Sequence, residues 1–292
     1  MHNVNVGGVG FAVYQTSADT ASSGVFVDDL FFPGYPNKEQ AEKGIHHCYF
    51  AVAYDKTSGP KISLWAEDKA GNEATTSFYS RVIRKKFRED KIELTDRLIE
   101  KLLSYFSFYP LEAEESDLKK FLKINNELRR ENHETLYRLK DKTSPEKLWD
   151  GVWLSHWNGQ TMARFADHRS YFYKGQRVDD KVHLGVDLAS LANAPVLASN
   201  NGKVIFGDRL GIYGLAVVID HGQGLASVYG HLSKIEVSLG QEVKKGQAIG
   251  LTGDTGLAGG DHLHFSVMVQ GIFVNPVEWW DPHWIMDNVT KK

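Results

Sequence analysis

Five residues in the C-terminal half of this 292-residue chain have the types and spacing to do chemistry: His183, Asp187, His231, His262 and His264. From His262 to Val269 the sequence alternates, with Leu263, Phe265, Val267 and Val269 at every second position. Residues two apart on a strand share a face, so His262 and His264 stand side by side, opposite an apolar face. A helix would splay them. The same parity in His183-Leu184-Gly185-Val186-Asp187-Leu188 sets Leu184, Val186 and Leu188 on one face. His183, Gly185 and Asp187 fall on the other, and Gly185 leaves room for whatever the two polar groups hold. Two histidines and a carboxylate from two strands, with one position open, is the make-up of a catalytic zinc site; a structural site fills all four positions with protein ligands. Three ligands suffice, so two imidazoles remain beside the metal. Zinc lowers the pKa of a bound water to about 7. One imidazole can take its proton and deliver it to a leaving amine, and a second can donate to the oxyanion of a tetrahedral intermediate. That set is enough for amide hydrolysis. Spacing alone leaves open which of His262 and His264 binds metal.

The elements that must position these groups follow from an uneven composition. Of 27 glycines none lies between Gly71 and Gly151, while 17 lie from Gly175 to Gly271, which reads as helix followed by turn-rich β structure. Arg84 to Lys147 holds 16 basic and 14 acidic residues, a mixed-charge region with no basic excess. Within it Ile92, Leu94, Leu98, Ile99, Leu102, Leu103 and Phe106 recur at helical spacing, with Thr95 or Asp96 as alternative caps. Leu118, Phe121, Leu122, Leu128, Leu136 and Leu139 mark a second helix capped by Ser116. Short alternating stretches and frequent turns before residue 84, such as Ile62–Ala66 and Asp68–Asn72, suggest a small sandwich. The expected fold is multidomain and mainly β. It comprises a β-sandwich-like (immunoglobulin-like) module over 1–83, an α-helical connector over 84–150, and a C-terminal antiparallel β-sheet domain over 151–292. The connector packs between the β domains or, on the sharper reading, covers the site.

From Val182 to Pro276 the sequence resembles the lysostaphin/LytM-type zinc peptidases. The matching stretches are His183-Leu-Gly-Val-Asp187, Ala194-Pro195-Val196, Gly202-Lys203-Val204, Tyr229-Gly230-His231-Leu232, Gly246–Gly250, Gly253-Asp-Thr-Gly256, His262-Leu-His264-Phe265 and Val274-Asn275-Pro276. The resemblance implies a zinc metalloendopeptidase with one Zn2+ held by His183, Asp187 and His264. His262 is then the general base, and His231 polarises water or stabilises the oxyanion. It also implies a peptidoglycan substrate, with a D-alanyl–diaminopimelate bond as first choice, and a place in the bacterial periplasm or cell envelope. Some relatives lack ligands and regulate other wall hydrolases, so a non-catalytic or latent wall-binding regulator is the alternative. Arg169, in Arg169-Ser170-Tyr171, resembles a stretch that enters the groove, where it would bind a substrate carboxylate.

The remaining features exclude more than they add. A net charge of −3 gives no support to nucleic-acid binding. No apolar run approaches the roughly 20 residues of a spanning helix. Met1-His2 reads as a cloning remnant, which leaves room for an upstream signal or membrane anchor. The single cysteine, Cys48, forbids cysteine-built metal sites and reads as a buried hydrophobe. His221 reads as a structural residue of a hairpin. Trp149, Trp153 and Trp157 with Trp279, Trp280 and Trp284 read as packing between the two ends of the C-terminal domain.

Overall fold

The computed structural model describes residues 2–56, 59–155 and 159–291, and Trp157 lies outside these. Among the described residues, the N-terminal part forms a parallel pair, His2–Asn5 with Ser80–Ile83, and beside it two antiparallel sheets, as the short alternating stretches imply. One orders Leu30–Pro33, Thr20–Val27, Ile62–Asp68 and Glu73–Ser77; the other orders Val9–Gln15, Ile45–Ala51 and Tyr35–Pro36. Val25, Val27, Phe32, Cys48 and Phe50 fill their core and are essentially inaccessible. Cys48 is thus the buried hydrophobe expected. The turn at Asp68 closes because its carboxylate accepts from the Ala70 and Asn72 amides while Gly71 takes a positive φ.

The helical region departs from its sequence reading at the start. Ile92 and Leu94 belong to a strand, Glu89–Leu94, and helix α1 spans Asp96–Ser104 with Thr95 as N-cap, its hydroxyl accepting from the Leu98 amide. The strand lies parallel to His168–Tyr173, which pairs antiparallel with Gln176–Val182. Helix α2 (Asp117–Lys123) is capped by Ser116 as expected and runs through a π-helical turn, Ile124–Leu128, into helix α3 (Arg129–Arg138). No described helix is long and apolar enough to cross a membrane.

Among the described residues the C-terminal sheet has ten strands. Its central order is Gln160–Ala163, Val186–Ala189, Leu263–Val269, Leu225–Ile235, Leu215–Gly222, Gly202–Arg209 and Glu242–Val243. Alternation then divides the core. Val217, Ile219, Phe265, Val267 and Val269 share a cluster with Val25, Phe50 and Trp279, whereas Val218, Val228 and Met268 pack with Phe106, Ile124, Leu128 and Leu136. The helices therefore cover the face that carries His264, which is in step with Ser266 and Met268. Trp149, Trp153 and Trp279 meet at ring distances of 5.0–6.1 Å, so these indoles serve packing.

Glu278 ties the C-terminal end to the N-terminal module: it accepts from Asn5 Nδ2 at 2.9 Å and from the Val9 amide at 3.0 Å. Burial pushes its pKa up from 4.5 to about 7. The folded state therefore holds this proton where the unfolded chain has lost it. Stability from this group is full below pH 4.5 and declines as pH rises to about 7, by roughly 3 kcal/mol. Thermal melts between pH 4.5 and 7.5 should show this decline in the native chain and a flatter profile in Glu278→Gln. Parallel profiles would refute it.

Candidate metal centre

The strand register brings the two candidate ligand stretches together. Asp187 lies directly opposite His264, and His264 opposite Gly230, next to His231. His183 precedes its strand, which covers only Val186–Ala189, so its parity with Asp187 is carried by an extended approach and not by the ladder. His183 Nε2, His264 Nδ1 and Asp187 Oδ1 converge at 2.9–3.0 Å from one another. All three residues are buried, and their ligand atoms form a group that could hold a metal ion. His262 Nε2 stands further off, 3.6 Å from Asp187 Oδ1, and its side chain is more exposed, at 16% against 6% for His264. The rings of His231 and His262 lie 4.7 Å apart.

What each imidazole offers is set by the partner of its other nitrogen. His183 Nδ1 lies 3.0 Å from the Arg164 carbonyl, so it donates and leaves Nε2 bare. Ser266 donates its hydroxyl to the Leu184 carbonyl, so its oxygen accepts from His264 Nε2 at 2.9 Å and leaves Nδ1 bare. Two ring nitrogens and a carboxylate oxygen thus converge on one point, a donor set that a cation between them would satisfy. His231 gives its Nδ1 proton to the Thr255 carbonyl and His262 gives its own to the Gly260 carbonyl, both at 2.8 Å. In its neutral state each therefore presents an unprotonated Nε2. His231 also has a φ of +61°, a left-handed conformation unusual for a side-chain-bearing residue, where the ladder to Leu215–Gly222 shifts register.

The electrostatics follow from burial and the shared carboxylate. Burial, with neighbouring imidazoles, drives His231 well below its ordinary range and His264 to about 4, so both are neutral at pH 7. Burial would lower His262 too, but its contact with Asp187 prevails and raises it. Asp187 is held well below the usual carboxylate range: burial opposes this, and His183 and the other two imidazoles overcome it. Arg169 places Nη2 2.9 Å from Asp187 Oδ2, leaving Oδ1 for the histidines. The sequence reading did not anticipate this partner. His221 donates from or accepts at both nitrogens, against the Asn201 carbonyl and Ser227 hydroxyl, fully buried and away from the cluster, as a structural residue does.

The family model of peptidase family M23 matches residues 181–276. That stretch is an M23 domain. Over 96 residues the chain is 43% identical to the peptidoglycan DD-endopeptidase ShyA of Vibrio cholerae, a match covering 33% of this chain and 22% of ShyA. Over 95 residues it is 40% identical to the murein hydrolase activator EnvC of Escherichia coli, covering 32% of this chain and 23% of EnvC. The chain therefore matches less than a quarter of the length of these curated relatives. A crystal structure of a putative peptidase M23 from Pseudomonas aeruginosa aligns with 95% of both chains at a TM-score of 0.57 and 23% identity, a likeness of fold.

Four features of the M23 domain's surroundings were not found from sequence. Ser266 was visible, two residues beyond His264 on the same strand face. Arg164 and Thr255 act through backbone carbonyls, which have no side-chain signature. Tyr213, buried and edge-on to His264 at 5.3 Å, comes from a short 3-10 turn. The centre opens into a space of about 250 Å³ whose other wall is helical: Leu98, Leu102, Phe121, Asn125, Arg129 and His133.

Proposed function

We propose that this chain is a zinc-dependent endopeptidase that hydrolyses peptide cross-links or stems of bacterial peptidoglycan, with D-alanyl–diaminopimelate bonds as the first candidate. The observation that carries this reading is the orientation of four imidazoles: two turn bare nitrogens to one point beside Asp187, and two others face the same space with bare Nε2 atoms. His183, Asp187 and His264 would hold the zinc ion. When bound, zinc supplies Lewis-acid polarisation and a water that is acidic near neutral pH. His262 Nε2 then takes the proton of the attacking water and returns it to the leaving amine. His231 accepts at Nε2 in its neutral state, so it polarises the water; it can donate to an oxyanion only once protonated. Peptidoglycan as substrate places the work outside the cytoplasm, in the periplasm or cell envelope. We keep the division into parts at 1–83, 84–150 and 151–292 as part of the same proposal.

One observation favours a second reading, a latent or regulatory protein: the helices wall in the metal centre, and four of its five residues are at most 7% exposed. The deciding measurement pairs zinc content by atomic absorption with release of soluble muropeptides from purified peptidoglycan. Zinc near one equivalent with muropeptide release supports the enzyme. Zinc without release, in a chain that stimulates another wall hydrolase, supports the regulator. Deleting 84–147 would not separate these outcomes, because Phe106, Ile124, Leu128, Leu136 and Leu139 belong to the core beneath the sheet.

A further inference from the structure

The boundary between the N-terminal module and the helical region concentrates positive charge. From Phe78 to Arg88 the sequence holds five basic residues and no acidic one, although the whole chain carries −3. Arg88 is already paired with Asp167 and Asp90. Arg81, Arg84, Lys85 and Lys86 are exposed, and their side chains form no ion pair or hydrogen bond among the described residues. Unpaired cations in one short segment repel one another, so an anionic surface is their favourable neighbour.

The same stretch exposes apolar groups. Along the strand Ser80–Ile83 and the two residues before it, exposure alternates: Tyr79, Arg81 and Ile83 are exposed, while Phe78, Ser80 and Val82 are half-buried. Tyr79 is 64% and Ile83 39% exposed, on the face that carries Arg81. The parallel strand His2–Asn5 adds the uncharged Asn3 and Asn5, opposite Arg81 and Ile83. Glu278, whose carboxylate feels the Lys85 ammonium, is buried and turned inward onto Asn5 and the Val9 amide, so it does not neutralise the surface. Its chain neighbour Val277 is 49% exposed. A single exposed apolar side chain is ordinary. Exposed apolar groups set among unpaired cations are the make-up of an interfacial membrane contact.

We propose that Tyr79 and Ile83, with the cations Arg81, Arg84, Lys85 and Lys86, form a docking surface for an anionic phospholipid bilayer. Two requirements select that partner. The cations need anions, which a wall polymer would also provide. Ile83 and the Tyr79 ring gain only where an apolar phase lies beneath the charges, and a hydrated polymer of sugars and polar peptides has none. At a bilayer interface Ile83 enters the boundary with the acyl chains and Tyr79 keeps its hydroxyl among the headgroups. The Lys and Arg heads reach the phosphates along their own methylene stems. No residue of the metal centre takes part, so this docking is independent of the peptidase reading.

The test is co-sedimentation of the full chain with vesicles of phosphatidylcholine alone and with vesicles that also hold about 30% phosphatidylglycerol. The chain is expected to sediment with the anionic vesicles only, and to be released by about 0.5 M salt, which screens exposed charges. Each Lys or Arg near an anionic surface strengthens binding about fivefold, so a triple variant, Arg84→Gln with Lys85→Gln and Lys86→Gln, should bind about 10²-fold more weakly. Ile83→Ser, which leaves the charge unchanged, should lose severalfold. A control with the same change of charge on other elements, Lys69→Gln with Lys203→Gln and Lys244→Gln, should bind as the native chain does. Equal sedimentation with neutral vesicles, none with anionic ones, native binding by the triple variant, or an equal loss in the control overturns the surface. Native binding by Ile83→Ser overturns the bilayer assignment, and retention on purified peptidoglycan through the same three cations would then name a wall polymer in its place.

Discussion

His183→Ala is expected to retain no zinc after dialysis and to release no muropeptides, whereas His262→Ala is expected to keep its zinc and lose hydrolysis. The contrast comes from geometry. His183 Nε2 is one corner of the 2.9–3.0 Å triangle, locked there by the Arg164 carbonyl, and its loss leaves a two-ligand site beside a buried carboxylate. His262 stands outside the triangle, with Nε2 bare and its other nitrogen tied to Gly260. Removing a general base costs typically 10²- to 10⁴-fold in rate, so zinc content near one equivalent with hydrolysis reduced by about that factor is the expected result. Zinc loss in His262→Ala with retention in His183→Ala would reverse the ligand assignment. Native hydrolysis in both variants would end the catalytic reading.

Gly185→Ala is expected to weaken zinc binding without touching a ligand. A Cβ at position 185 would lie 2.6 Å from His264 Cε1, from His264 Nε2 and from Ser266 Oγ, closer than real Cβ contacts come. Ser266 is bonded to Leu184 and to His264, so it cannot yield without releasing the ring whose tautomer it sets. The backbone at Gly185 is not in the left-handed region, so the cost is steric and concentrated on the site. Overpacking of this kind costs about 1–3 kcal/mol. Displaced outer partners lower metal affinity by roughly 10- to 100-fold. Chelator competition would measure the loss, with thermal melting run beside it. Native zinc affinity in a folded Gly185→Ala chain would show that the ring has room to move.

Much of this site was legible because one face of each strand is buried. A one-residue slip of Leu263–Val269 would drive imidazoles into the core shared with Phe50 and Trp279, so the alternation alone set which way His264 points. The spacing of His262 and His264 could not choose between them; the choice depends on a pairing with Asp187 from a strand some 77 residues away. Distance in sequence hid other features too. Glu89–Leu94 finds a parallel partner in His168–Tyr173, and parallel pairing of separated segments leaves no turn signal between them. Ile92 and Leu94 fell in phase with the helix that follows, so apolar period extended a helix past its true cap at Thr95. The helical cover was legible as amphipathic helix, but whether it packs between the β domains or covers the site stayed open, since an apolar stripe fits any apolar surface.

The three-stranded sheet joins the strand that leads into α1 to the strand that carries Arg169. Asp90, on the strand that leads into α1, is in register with Arg169, and Arg169 holds the outer oxygen of Asp187. One guanidinium thus links the strand that leads into the helices to a candidate metal ligand. If displacing the helices changes the affinity for zinc, zinc loading must change by the same factor how readily they are displaced.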